Sequence, residues 1–168
     1  HFFTLRSGHR LHYVDEGQSD QILICLHGNP TWSFYFRNVI KNLRPQMRVI
    51  ALDHLGCGLS DKPQEYAYTL SQHIENLDEL LTHLKVTSAN LLVHDWGGAI
   101  GFGWAKKNPE KINKIIITNT AAFLSNDIPK RIAMLKNLPW FGEFFIRTFN
   151  LFAWPATFMA TAKGLSPI

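Results

Sequence analysis

The sequence predicts an α/β fold, a mostly parallel sheet flanked by helices, on two observations. Apolar runs at Gln21–Leu26, Met47–Leu52, the stretch from Ala89 to Val93 and Lys114–Thr118 alternate with stretches of helical periodicity. Strands and helices in alternation build parallel sheets whose crossover helices cover both faces. The third run then breaks sharply at His94-Asp95-Trp96 and enters a segment studded with Gly97, Gly98, Gly101 and Gly103. That is a strand turning tightly into a helix packed close against it, because a Cβ at those positions would collide.

Taken in order, His1–Leu5 and Leu11–Asp15 flank the turn signal Ser7-Gly8 and predict an opening hairpin. Gln21–Leu26 is continuously apolar, as a strand covered on both faces should be, and it ends in His27-Gly28-Asn29-Pro30. A helix is expected from Thr31-Trp32-Ser33 to about Leu43, then the Met47–Leu52 strand and a loop from Asp53 to Asp61 rich in residues that tolerate unusual dihedrals. Thr69 caps the clearest helix, with Gln72 where a capping-box partner belongs and Leu70, Ile74, Leu77, Leu80, Leu81 and Leu84 on one stripe. The glycine-studded helix runs to about Asn108-Pro109 and leads into the Lys114–Thr118 strand. Beyond Thr118 no further strand is visible, and aromatic residues such as Phe123, Trp140, Phe141 and Trp154 accumulate. Ordinary packing helices would read this way, and so would a lid over the sheet edge where α/β sites lie; the second reading is favoured. The expected division is 1–118, the core with its sharp turn, and 119–168, the beginning of a helical cap.

At 168 residues, with 46% hydrophobic and 18% charged residues, the chain has the means to bury a core and is not of disordered type. The net charge of +4 comes from scattered lysines and arginines, which argues against a nucleic-acid partner. No apolar run is long enough to span a bilayer and no leader precedes the first strand, so a cytoplasmic protein without a membrane span is expected. The chain begins at His1, which suggests a trimmed N-terminus. Cys25 in an apolar strand and Cys57 in a glycine loop make neither a disulfide framework nor a metal site, and no cofactor or metal is expected.

The chemistry converges on Asp95. A tight strand-to-helix turn pushes its central side chain out over the sheet edge, where backbone N–H groups and the helix N-terminus favour an anion. Serine there would need a base, whereas a carboxylate is already ionised and attacks an electrophilic carbon directly, leaving an ester. Aspartate is also a common helix cap, and that alternative has to be weighed. The turn His27-Gly28-Asn29-Pro30 leaves a strand at the same edge, so the backbone N–H groups of Asn29 and Trp96 are candidates to face a developing oxyanion jointly. A cis bond before Pro30 would help to aim them. Their side chains, an amide and an indole, are uncharged donors suited to a weakly basic leaving group, though either residue also has structural uses. His27 precedes the turn and is read as structural, because a base must reach the attacking water.

With His27-Gly28-Asn29-Pro30-Thr31, Asp53-x-x-Gly56-x-Gly58-x-Ser60-Asp61 and Val93-His94-Asp95-Trp96-Gly97-Gly98 in hand, the chain resembles the α/β-hydrolase fold enzymes of the haloalkane dehalogenase superfamily along essentially its whole length. The resemblance implies Asp95 as nucleophile and Asn29 and Trp96 as the groups that stabilise halide or another leaving group. Val93 departs from the Gly-x-nucleophile-x-Gly pattern, as dehalogenase-like elbows do. Thr118-Asn119-Thr120-Ala121-Ala122-Phe123 and Phe145-Ile146-Arg147-Thr148-Phe149-Asn150 are similar to the β-lactone decarboxylases of long-chain olefin biosynthesis. That likeness implies a cis-3,4-dialkyl β-lactone as a small apolar substrate, a cis-alkene and carbon dioxide as products, and association with other enzymes of the olefin pathway.

The family places a catalytic histidine well after the nucleophile, yet all eight histidines here lie at or before His94, and Asn119 stands where some dehalogenases carry the triad acid. The expectation is therefore an N-terminal portion of a larger enzyme, with the C-terminal part of the fold absent and little activity alone. Three rivals stand beside decarboxylation. Dehalogenation through an aspartyl ester is the first. Epoxide hydrolysis is weaker, because it needs lid tyrosines and 119–168 has none. The third is a non-catalytic protein on the same fold.

Overall fold

The computed structural model describes residues 1–120 and Thr148. By its contacts the chain divides into His1–Ala122 and Phe123–Ile168. The proposed lid therefore lies outside the described residues, apart from Asn119, Thr120 and Thr148.

The first unit is a six-stranded sheet in the order β1-β2-β4-β3-β5-β6. β1 (Phe2–Thr4) and β2 (Arg10–Glu16) form the expected antiparallel hairpin, and β2 runs antiparallel to β4 (Arg48–Leu52). β4, β3 (Ile22–Leu26), β5 (Ala89–His94) and β6 (Ile112–Thr118) are mutually parallel. All five residues of β3 are buried because both its faces are covered. Ile22, Ile24 and Leu26 join Ile50, Leu52, Leu91 and Val93 under α2 (Leu70–His83) and α3 (Trp96–Lys107). Leu23 and Cys25 turn the other way, with Val49 and Ala51, onto Phe36 and Ile40 of the opposite layer. Period-two alternation thus feeds two cores, and burial in the second pushes the Cys25 thiol up to about 12.

Four elements depart from expectation. The segment after Thr31 opens as a 3-10 turn, Ser33–Phe36, and becomes helix α1 only at Arg37–Leu43. The Ser33 N–H donates to the Asp53 carboxylate at 2.7 Å, so the turn is tied to the β4 loop from its first residue. Thr69 Oγ1 caps α2 by accepting from the Gln72 N–H at 3.3 Å, but the Gln72 amide reaches forward to Glu75 and Asn76. The box is therefore only half formed. Gly97 does admit the end of β3, since a Cβ there would strike the Leu26 carbonyl, whereas one at Gly103 would meet Ile74 of α2 and one at Gly98 would meet Thr120. Only part of the glycine pattern serves helix-to-strand approach. β6 starts two residues earlier than expected and leaves Ile116 and Ile117 exposed.

Candidate active site

The neighbours of β3 lead off in opposite chain directions, to β4 on one side and β5 on the other, which makes its C-terminal end a switch point of the sheet. The turn after β3 and the turn after β5 meet there. Asp95 has φ 51° and ψ −125°, a conformation that L residues avoid and that costs about 1–3 kcal/mol. The surrounding structure enforces it: the Asp95 carbonyl accepts from the Gly98 N–H at 2.9 Å and from Thr120 Oγ1 at 2.5 Å.

Although Asp95 occupies the N-cap position of α3, its side chain makes no capping bond. Its Oδ1 accepts instead the backbone N–H of Asn29 at 2.9 Å. The capping alternative thus fails on geometry, and the carboxylate is aimed across to the β3 turn. Gly28 is needed for this approach, because a methyl group on it would overlap the Asp95 carboxyl. The Asn29–Pro30 bond is cis, as anticipated.

Asn29 and Trp96 are both exposed; Asn29 stands beside Asp95 in space, across the turn, and Trp96 follows it in the chain as the first residue of α3. The Asn29 N–H meets the carboxylate itself in this state. Its side-chain Oδ1 accepts from Cys57 Sγ at 3.6 Å. Trp96, Asp95, Ala99 and Thr120 line a depression of about 230 Å³.

His27 is fully buried, and its tautomer follows from its bonds. The His54 N–H donates to Nε2 at 2.9 Å, so the proton sits on Nδ1, 2.9 Å from the Gly28 carbonyl. With both nitrogens committed to backbone it positions the turn, in agreement with a structural reading. His54 Nε2 returns a bond to the His27 carbonyl at 3.1 Å. Burial holds His27, His73 and especially His54 below the ordinary imidazole range.

Sequence reasoning missed Asp53. It is fully buried and accepts from Ser33 N–H at 2.7 Å, Leu59 N–H at 2.8 Å and His12 Nδ1 at 2.9 Å. Burial alone would raise this carboxyl, but the Leu59 and Ser33 donors and the neighbouring His12 outweigh it and hold it below the usual range. Ser60 Oγ donates to the Asp53 carbonyl at 2.6 Å and accepts from His12 N–H at 2.8 Å. The spaced glycines and Ser60 were the available signal: a Cβ on Gly58 would strike the Asp53 carboxyl. Among the described residues no group of three or more His, Cys, Asp or Glu is arranged to hold a metal, and no helix is long and apolar enough to cross a membrane.

Residues 21–158 match the family described as alpha/beta hydrolase fold. The chain belongs to that family. Within the α/β-hydrolases it is 42% identical over 174 residues to a cis-3-alkyl-4-alkyloxetan-2-one decarboxylase of Xanthomonas campestris pv. campestris, covering 96% of this chain and 57% of the relative. It is 40% identical over 111 residues to haloalkane dehalogenase 2 of Mycobacterium bovis, covering 66% of this chain and 38% of the relative. Among solved structures, a mutant of haloalkane dehalogenase DatA from Agrobacterium tumefaciens C58 superposes with a TM-score of 0.86 at 28% identity, covering 99% of this chain and 58% of that one. The chain thus spans just over half the length of the decarboxylase relative it matches.

Proposed function

We propose that this α/β-hydrolase chain carries the nucleophilic half of an enzyme that converts a cis-3,4-dialkyl β-lactone into a cis-alkene and carbon dioxide. The observation that carries the reading is the 42% identity, across 96% of the chain, to a relative named for decarboxylating a cis-3-alkyl-4-alkyloxetan-2-one. The geometry is compatible with it: a half-exposed carboxylate on a strained turn, unspent on capping and held, among the described residues, by one backbone donor.

Asp95 would attack the four-membered ring, whose strain favours opening, and form an ester or anhydride. Asn29 and Trp96 supply the uncharged donors nearest to the carboxylate or oxyanion released by opening. Over the whole reaction the ring C–O bond and the bond to the carboxyl carbon break, the electron pair of the latter becomes the C=C bond, and Asp95 is regenerated. No water or external proton enters the balance, and none of this needs a cofactor. Location in the cytoplasm and association with enzymes that supply the lactone belong to the same proposal.

Haloalkane dehalogenation is the second reading, favoured by the 40% identity to a named dehalogenase. It requires a base to activate water against the aspartyl ester. The complete enzyme should be given a dialkyl β-lactone and, separately, a 1-bromoalkane. Alkene without bromide release supports decarboxylation, and rapid bromide release with no alkene from the lactone overturns it. Asp95→Asn should reduce turnover of the true substrate by about 10⁴-fold, the scale seen when one member of a catalytic unit is removed. Retained turnover rules out the nucleophile assignment.

A further inference from the structure

A second concavity, of about 470 Å³, lies between β2 and α1, and Asp95 does not line it. Its apolar wall is unusual for a surface: Trp32, Phe34 and Leu59 are 44, 54 and 63% exposed. The Trp32 and Phe34 rings stack with centroids 5.9 Å apart, and Val14 and Ile40 complete the wall. The rim is cationic. Arg37 and Lys41 of α1 and Arg44 at its C-cap follow one another at helical spacing and all line the groove, opposed there by one acid, Glu16. Arg44 is paired with Glu16 at 3.3 Å, while the Arg37 guanidinium stacks 4.5 Å from the Phe34 ring centre, which leaves Lys41 facing no acid of the groove. His12 also lines it, with Nδ1 committed to Asp53.

We propose that this groove binds an alkyl carboxylate, its chain on the Trp32–Phe34–Leu59 wall and its head between Lys41 and Arg37. Both halves of that ligand are demanded together: an apolar wall alone would take any hydrocarbon, and a basic rim alone any anion. The volume lies within the range of small-molecule sites, about 300–1,000 Å³. It is a concavity, not the broad face of about 800 Å² per partner that a protein interface needs. The inference stands independently of the role given to Asp95.

Isothermal titration of the full chain with sodium dodecanoate, below its micellar concentration, tests it against dodecyltrimethylammonium and an acidic amphipathic peptide. One dodecanoate should bind per chain, with no response to the cationic amphiphile. Lys41→Glu should weaken binding by roughly tenfold or more, since it sets a like charge against the carboxylate. Phe34→Ser should weaken it too, whereas Asp95→Asn should leave it unchanged. Melting curves of each variant establish that it folds, and Lys41→Glu, at an exposed helix position, carries the test if Phe34→Ser does not. The proposal is overturned if the cationic amphiphile binds equally, if only the peptide binds, if nothing binds, or if affinity follows Asp95 and not Lys41.

Discussion

Two aspartates follow the two parallel strands that flank β3, at the same end of the sheet, and the structure treats them in opposite ways. Asp53, after β4, is fully buried and receives hydrogen bonds from Ser33, Leu59 and His12. Asp95, after β5, is half-exposed, receives one bond from Asn29 and holds its backbone in a strained conformation. The acceptor capacity of a carboxylate is about four lone pairs, and Asp53 spends most of it on knitting three segments together. Among the described residues Asp95 spends only one acceptor position, on Asn29. A carboxylate is marked for chemistry by what its surroundings leave unsatisfied, and strain at such a position is commonly a cost of function.

The sharpest way to break this comparison is to neutralise each acid in turn and read stability and turnover separately. Asp53→Ala should cost about 3–5 kcal/mol, because it strands buried donors that have no access to water. Asp95→Asn should move the melting temperature little, since the amide oxygen can still accept from Asn29, while turnover collapses as proposed above. If Asp53→Ala melts like the parent, the contrast between the two loops is wrong.

How much of this was legible in the sequence depends on how far apart the interacting residues are in the chain. Strands and helices were readable because period-two burial in β3 and the Ile74–Leu81 stripe of α2 are local patterns. The turn at Asp95 was readable because its glycines follow it immediately. The Asp53 latch was not, since its donors come from His12, Ser33 and Leu59, on β2, the 3-10 turn and the loop itself, and only the fold brings them together. For the same reason the sequence put Gln72 in a capping box, but the competing acceptors on Glu75 and Asn76 win its amide. His27 was read as structural from its place before the turn, and the reason became visible only through the His54 backbone N–H.

Acid should separate the two loops from the scaffold beneath them. His54, His27 and His73 are held neutral in the fold by burial, so the unfolded chain takes up protons that the folded one refuses. Stability is then complete above the unfolded imidazole value of about 6.5 and falls as pH drops below it, by up to about 1.4 kcal/mol per pH unit for each imidazole. Asp53 acts lower down: its depressed carboxyl contributes stability above its unfolded value of about 3.9, and this is lost as pH falls through the folded value. Melting temperatures between pH 8 and 3 should fall in two stages, and His54→Phe should flatten the upper one. A melting temperature constant from pH 7 to 5 contradicts the neutral, buried cluster.

The smallest expected effect is also the most specific to Asp95. Gly28→Ala puts a methyl group where the Asp95 carboxyl packs, without touching any donor to Asp53. Overpacking of this kind costs about 1–3 kcal/mol, and the carboxylate can relieve it by swinging off the Asn29 N–H. Turnover should therefore fall further than stability does. Combining Gly28→Ala with Asp95→Gly should cancel the stability cost, since the shorter residue removes the overlap, and residues in contact depart from additivity by about 0.5–3 kcal/mol. If the two substitutions simply add, the turn after β3 and the turn after β5 do not press on one another. Asp95 would then owe its orientation to its own backbone alone.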